Sequence, residues 1–135
     1  MPAPATADLS LTGLWRGRFW YPEAFDPVSF TATLVDVEGR FSGSTVETES
    51  LDASPARTLH ARLEGVRSRR LVVFAKNYDA AANVEHTIGY TGELSEDGAE
   101  ISGTWAVTDE WTGAFLMIRA PGQAAATWRK TAAHA

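Results

Sequence analysis

The chain of 135 residues contains no cysteine, which excludes disulfides, thiolate nucleophiles and cysteine-ligated zinc. It has no apolar run approaching the ~18–20 residues of a membrane span. Its first ten residues lack the basic and apolar segments of a secretory signal. No membrane partner is expected, and the cytoplasm is the simplest compartment. An excess of positive charge is also missing. Twelve basic against 17 acidic residues leave a net charge of −5, whereas nucleic-acid binding asks for a clustered basic face. The one basic cluster, Arg67-Ser68-Arg69-Arg70, falls between two strand-like runs and reads as a solvated turn. His60, His86 and His134 lack metal-ligand spacing, no glycine cluster opens a helix to cradle phosphate, and no serine lies in a nucleophile-elbow context. Neither a metal nor a cofactor is expected. Arginine far outnumbers lysine, which with the rich alanine usage fits a GC-rich bacterial coding sequence.

What is present is an alternation of period two, repeated in eight runs: Leu11–Tyr21, Val28–Val37, Phe41–Thr48, Thr58–Val66, Arg70–Tyr78, His86–Leu94, Glu100–Val107 and Trp111–Ala120. In the first, Leu11, Gly13, Trp15, Gly17 and Phe19 share a face and Arg16 and Arg18 the other. The turns are short, as at Glu38-Gly39-Arg40 and Ser95-Glu96-Asp97-Gly98, with longer loops at Ser50–Ala56 and Asp79–Val84. Gly13, Gly17, Gly43, Gly65, Gly92, Gly103 and Gly113 all fall on the inward face, as a tightly curved sheet requires. The expected fold is all-β: one eight-stranded antiparallel up-and-down barrel over residues 11–120, with a flexible segment at 1–10 and a tail at 121–135. At 44% apolar residues the chain supports a core in one such domain. Trp15 and Arg119 bracket the strands and are expected to plug one end, the guanidinium lying across the indole.

These residues resemble the avidin branch of the calycin superfamily. Leu11-Thr12-Gly13-Leu14-Trp15 is similar to the opening strand of avidins, with its Gly-x-Trp. Val73–Tyr78 and Tyr90–Leu94 resemble their fifth and sixth strands, Ile101-Ser102-Gly103-Thr104-Trp105 their seventh, and Trp111 the tryptophan that opens their eighth. The resemblance implies a barrel with a ligand pocket, Trp105 and Trp111 as ligand-facing tryptophans, and a homo-oligomer, dimer or tetramer, in which Trp111 serves a neighbouring subunit. The polar biotin contacts are mostly missing. Gly17 stands where the family has an asparagine, Ala75 where it has a tryptophan, and Arg119 near its aspartate, while Thr87 and Thr91 match its hydroxyls only loosely. A buried urea without partners costs several kcal/mol, so tight biotin binding is not expected.

The expected ligand-binding set is Phe19, Phe30, Asn77, Tyr78, His86, Tyr90, Trp105 and Trp111, around a small apolar or aromatic ligand in the barrel interior. Asp36, Glu47 and Glu49 are the candidate rim carboxylates. The stretch Trp20-Tyr21-Pro22-Glu23-Ala24-Phe25 reads as a lid or a subunit contact. Two other readings stand beside the binding protein: a structural or oligomerisation domain with a filled core, and a small barrel cyclase or isomerase using Tyr90, His86 and Arg119. No catalytic residue is assigned.

Overall fold

Each of the eight runs forms a strand. The computed structural model describes residues 10–23, 26–49, 57–79, 87–108 and 111–120, with the side chains of Thr48, Glu49, Arg57 and Thr108 outside that description. The strands are β1 (Gly13–Phe19), β2 (Val28–Val37), β3 (Arg40–Glu49), β4 (Arg57–Ser68), β5 (Leu71–Tyr78), β6 (Thr87–Leu94), β7 (Glu100–Thr108) and β8 (Trp111–Arg119). Each pairs antiparallel with the next, and β8 returns to β1 with Trp15 opposite Arg119 and Phe19 opposite Phe115. The result is a closed up-and-down barrel. Closure removes both sheet edges, so every strand has a partner on each side. Among the described residues no helix is long and apolar enough to cross a membrane.

Only β2 has the bounds expected from sequence; the other strands differ by one residue at one or both ends, and β1 and β4 by two at an end. β1 begins at Gly13 because Leu11 leaves the ladder, its N–H donating to the Asp36 carboxylate at 2.9 Å. β4 runs two residues further, to Ser68. It stays paired with β5 up to Ser68 opposite Leu71, and Arg69-Arg70 is left as the turn. Arg69 there has a φ of 57°. The β2–β3 connection carries Glu38 and Gly39 at φ of 54° and 93°, the paired left-handed geometry that matches the twist of a two-residue hairpin.

Alternation puts Trp15, Phe19, Phe30, Leu34, Phe41, Leu63, Val72, Phe74, Tyr90, Ile101, Trp105, Phe115 and Met117 inside, all buried. The inward glycines make room for the rings. A Cβ at Gly17 would fall into the Phe30 ring, and one at Gly113 would lie 2.7 Å from the Trp105 indole. Mid-barrel, Phe74 and Tyr90 stack at 4.7 Å with planes 7° apart, and Phe115 stands edge-on to both. Each such pair contributes about 0.5–1.5 kcal/mol beyond its burial.

One end of this interior is sealed by Arg119. Its Cζ lies 4.4 Å from the centre of a Trp15 ring. The guanidinium donates to three carbonyl oxygens: Gly98 from Nε at 2.9 Å, Thr12 from Nη1 at 3.0 Å and Ser10 from Nη2 at 2.6 Å. Trp15 Nε1 in turn donates to the Leu11 carbonyl at 2.9 Å. Asp36 belongs to this end and to no ligand rim. Oδ2 accepts from Leu11 N–H and Arg67 Nε, and Oδ1 accepts from Gly39 N–H. Burial alone would raise its pKa, but these bonds outweigh it and hold the carboxyl below its ordinary 3.8. Arg67, read from sequence as part of a solvated turn, is therefore a buried-carboxylate partner, while Arg70 does face solvent near Glu93 and Glu96.

Candidate functional site

The far end of the barrel is built from the last inward positions of β3 and β5. Because side chains alternate, Thr45 and Glu47 on β3 and Phe74, Lys76 and Tyr78 on β5 all point inward. Lys76 is only 1% exposed and Glu47 4%. Lys76 Nζ donates to Glu47 Oε2 at 2.9 Å, and Tyr78 Oη donates to Glu47 Oε1 at 2.8 Å. Both carboxylate oxygens are thus taken, one by an ammonium and one by a phenol.

Aromatic rings enclose the ammonium. Nζ lies 4.6 Å from the ring centres of Phe19 and Tyr78, 5.4 Å from Phe30 and 5.9 Å from Tyr90. Each contact of this kind contributes roughly 0.5–2 kcal/mol where water is excluded. Burial, partly opposed by Glu47, draws the ammonium pKa below its ordinary 10.5. Burial first, and the Glu47 charge second, push the Tyr78 and Tyr90 phenols well above 10. The Thr45 hydroxyl, one inward position before Glu47, is buried and lacks a hydrogen-bond partner. A polar atom left so costs about 1–3 kcal/mol unless something binds it.

Over this network lies a second layer of rings. Tyr21 stacks on Trp111 at 5.5 Å and meets Trp105 and Phe19 edge-on at 5.8 and 5.5 Å. Trp105 Nε1 donates to the Trp20 carbonyl at 3.1 Å, which ties the segment after β1 to β7. Tyr21 and Trp111 remain 40% and 45% exposed, so the layer is open to solvent on its outer side.

Of the residues singled out from sequence, the structure brings together Phe19, Phe30, Tyr78, Tyr90, Trp105 and Trp111 at this end. It does not bring Asn77 there. Asn77 lies on the outer face, where its Oδ1 accepts from Thr87 Oγ1 at 2.6 Å. Strand parity decides this: a residue between inward Lys76 and inward Tyr78 must point out. His86 and Phe25 lie outside the described residues, as does the Glu49 side chain. Arg119 and Trp15 sit at the opposite end. Lys76 and Thr45 are the residues that sequence reasoning missed, whereas Tyr21 belongs to the stretch read as a lid or subunit contact and Glu47 is one of the candidate rim carboxylates. Lys76 was legible in principle, since it continues the inward series Val72, Phe74. Among the described residues no group of three His, Asp or Glu side chains is placed to hold a metal. A shallow groove of about 540 Å³ runs on the outer surface of β2–β4, past Val35, Val37, Arg40, Ser42, Glu64 and Val66. It shares no residue with the Glu47–Lys76 network.

Protein-family models, curated protein sequences and solved structures were each compared with the chain, and none matches it.

Proposed function

We propose that the chain is a small-molecule-binding barrel that takes one flat, partly aromatic ligand at the Glu47–Lys76–Tyr78 end. The observation that carries this reading is the buried ion pair inside a box of rings. Burying two charges costs several kcal/mol per ion, and a well-packed apolar pair serves stability as well or better. A barrel that needed only a filled core would gain nothing from Lys76 and Glu47. A binding site gains oriented donors in a water-poor setting, below aromatic faces that suit a planar ligand. The unpartnered Thr45 hydroxyl adds a further polar contact for that ligand. The resemblance to avidins supports the same end of the barrel, since Trp105 and Trp111 match their ligand-facing tryptophans. The ligand itself differs, because the biotin contacts are not matched.

The test is a thermal-shift survey of aromatic alcohols, ketones, aldehydes and amides, with biotin included. A ligand at 100 times its dissociation constant adds about 2.7 kcal/mol to stability. Lys76→Met and Glu47→Gln should abolish the shift produced by any compound that works on the parent protein. Failure of every class to shift the melting temperature would overturn the proposal.

A second reading, association between copies of the chain, is favoured by one observation. Val37, Val66 and Val73 occupy outward positions on β2, β4 and β5, with Val66 directly opposite Val73, and Val35 and Leu71 extend this exposed apolar surface. Sedimentation of Val37→Glu and Val66→Glu variants tests it. A parent protein that is monomeric at every concentration would exclude it.

A further inference from the structure

We propose that Lys76 is a covalent anchor, forming a reversible imine with a planar aromatic aldehyde bound at this end of the barrel. The inference rests on the binding reading above and adds the class of ligand and the bond that holds it.

The choice of residue is the first support. The chain has ten arginines and only two lysines, Lys76 and Lys130. Apart from Lys76 itself and Lys130, every side chain of that basic set is arginine, whose guanidinium is not a nucleophile at ordinary pH. The buried inward position instead carries a primary amine. Its surroundings are the second support. Lys76 has three N–H donors, of which one meets Glu47 Oε2, and the others face rings. Glu47 is placed to take a proton along that 2.9 Å hydrogen bond. Such a transfer turns ammonium and carboxylate into amine and carboxylic acid with no change in net charge, so the low-dielectric interior does not oppose it. Burial favours the neutral amine further, against the pull of Glu47.

The chemistry balances without any other reactant. Glu47 accepts a proton from the Lys76 ammonium. The freed nitrogen lone pair adds to the aldehyde carbon, forming a C–N bond as the C=O π pair moves to oxygen. A proton passes from nitrogen to that oxygen, giving a carbinolamine. The Glu47 carboxyl returns its proton to the hydroxyl, the C–O bond breaks, and water leaves as the nitrogen lone pair forms C=N. The product is an iminium cation, with Glu47 again a carboxylate. The iminium occupies the place of the ammonium, against the same carboxylate and within the same rings. A site that holds the resting cation therefore also holds the adduct. Thr45 is the third support. Its hydroxyl, buried and without a partner, shares the inner face of β3 with Glu47 and supplies a hydrogen bond for the aldehyde oxygen as it becomes a hydroxyl.

The experiment treats the intact protein with benzaldehyde and sodium cyanoborohydride, which reduces the iminium to a stable benzylamine, and locates the benzyl group by peptide mass mapping. Benzylation of Lys76 is expected at least about tenfold faster than that of Lys130, the advantage that positioning confers. The urea-unfolded protein should lose this preference. Lys76→Arg, checked for a parent-like melting transition, should lose the fast adduct and keep the slow ones. Thr45→Val should slow the Lys76 reaction while leaving Lys130 unchanged. Because the parent protein is mapped directly, the outcome does not depend on any variant folding. Modification of Lys76 no faster than Lys130 overturns the imine. Benzyl alcohol, which cannot form one, is run in parallel by thermal shift. A shift with benzyl alcohol but no Lys76 adduct sinks the covalent step and leaves the binding reading standing. Absence of both sinks the two together.

Discussion

Removing one member of the Glu47–Lys76 pair should be far more damaging than removing both. At 2.9 Å and an effective dielectric of about 20, their attraction is about 6 kcal/mol. That gain is largely offset by several kcal/mol of desolvation for each ion. Lys76→Met leaves a carboxylate, 4% exposed, with Tyr78 alone for a partner. Glu47→Gln leaves an ammonium, 1% exposed, with rings and a neutral amide. Each single variant should lose about 3–5 kcal/mol, a large part of the 5–15 kcal/mol typical of a domain. At this chain length the loss lowers the melting temperature by about 10–20 °C. The double variant Glu47→Gln/Lys76→Met has no buried charge and should return to within about 1 kcal/mol of the parent, or exceed it. The assay is urea denaturation of all four proteins as a double-mutant cycle, with unchanged slopes confirming a common native state. Single variants that each lose less than about 1 kcal/mol, with losses that simply add, would show that the two charges are neither buried nor coupled.

Three further outcomes follow from the same geometry. Arg119→Lys keeps the charge but cannot reach the Ser10, Thr12 and Gly98 carbonyls together, and should lose about 2–4 kcal/mol by thermal or urea unfolding. Asp36 has a lowered pKa, so its contribution to stability is present above the ordinary value of 3.8 and is lost as pH falls through the lower folded-state value. Asp36→Asn should be less stable than the parent at pH 6, with a gap that narrows steadily towards pH 3 in pH-resolved melts. Tyr78 and Tyr90 have raised pKa values, so the stability linked to them is full below pH 10 and falls as pH rises above it. In an ultraviolet titration Tyr78 and Tyr90 should ionise only together with unfolding.

The barrel was legible from sequence because its signal is local and repeated. Strict alternation in runs such as Phe30-x-Ala32-x-Leu34 names the inner face, and inward glycines mark the curvature. The site was legible only in part. Phe19, Phe30, Tyr90 and Trp105 follow from the same alternation, but Asn77 was placed by its nearness to Tyr78 along the chain, where parity sends it outward. Lys76 was hidden by the apolar run Leu71–Ala75 just before it, which draws attention away from period two. Its pairing with Glu47 spans 29 positions and joins two strands that are not neighbours in the sheet, which no short-range pattern reports. Asp36, a rim acid by sequence, is drawn to the plugged end because the β2–β3 turn returns it beside Leu11 and Arg67.

The plug also sets the order in which the molecule can be assembled. Arg119 grips the carbonyl of Ser10, 109 positions earlier, and the β1–β8 seam pairs the first strand with the last. Hairpins such as β2–β3 and β4–β5 can form as soon as their own residues exist, at small loop-closure cost. The seam has no such freedom, since the strand that completes it is the last of the eight barrel strands to be synthesised. Until β8 has left the ribosome, β1 and the growing end both present unpaired edges that are open to other chains. The guanidinium that seals the finished barrel therefore arrives as the final part of a slow, long-range step.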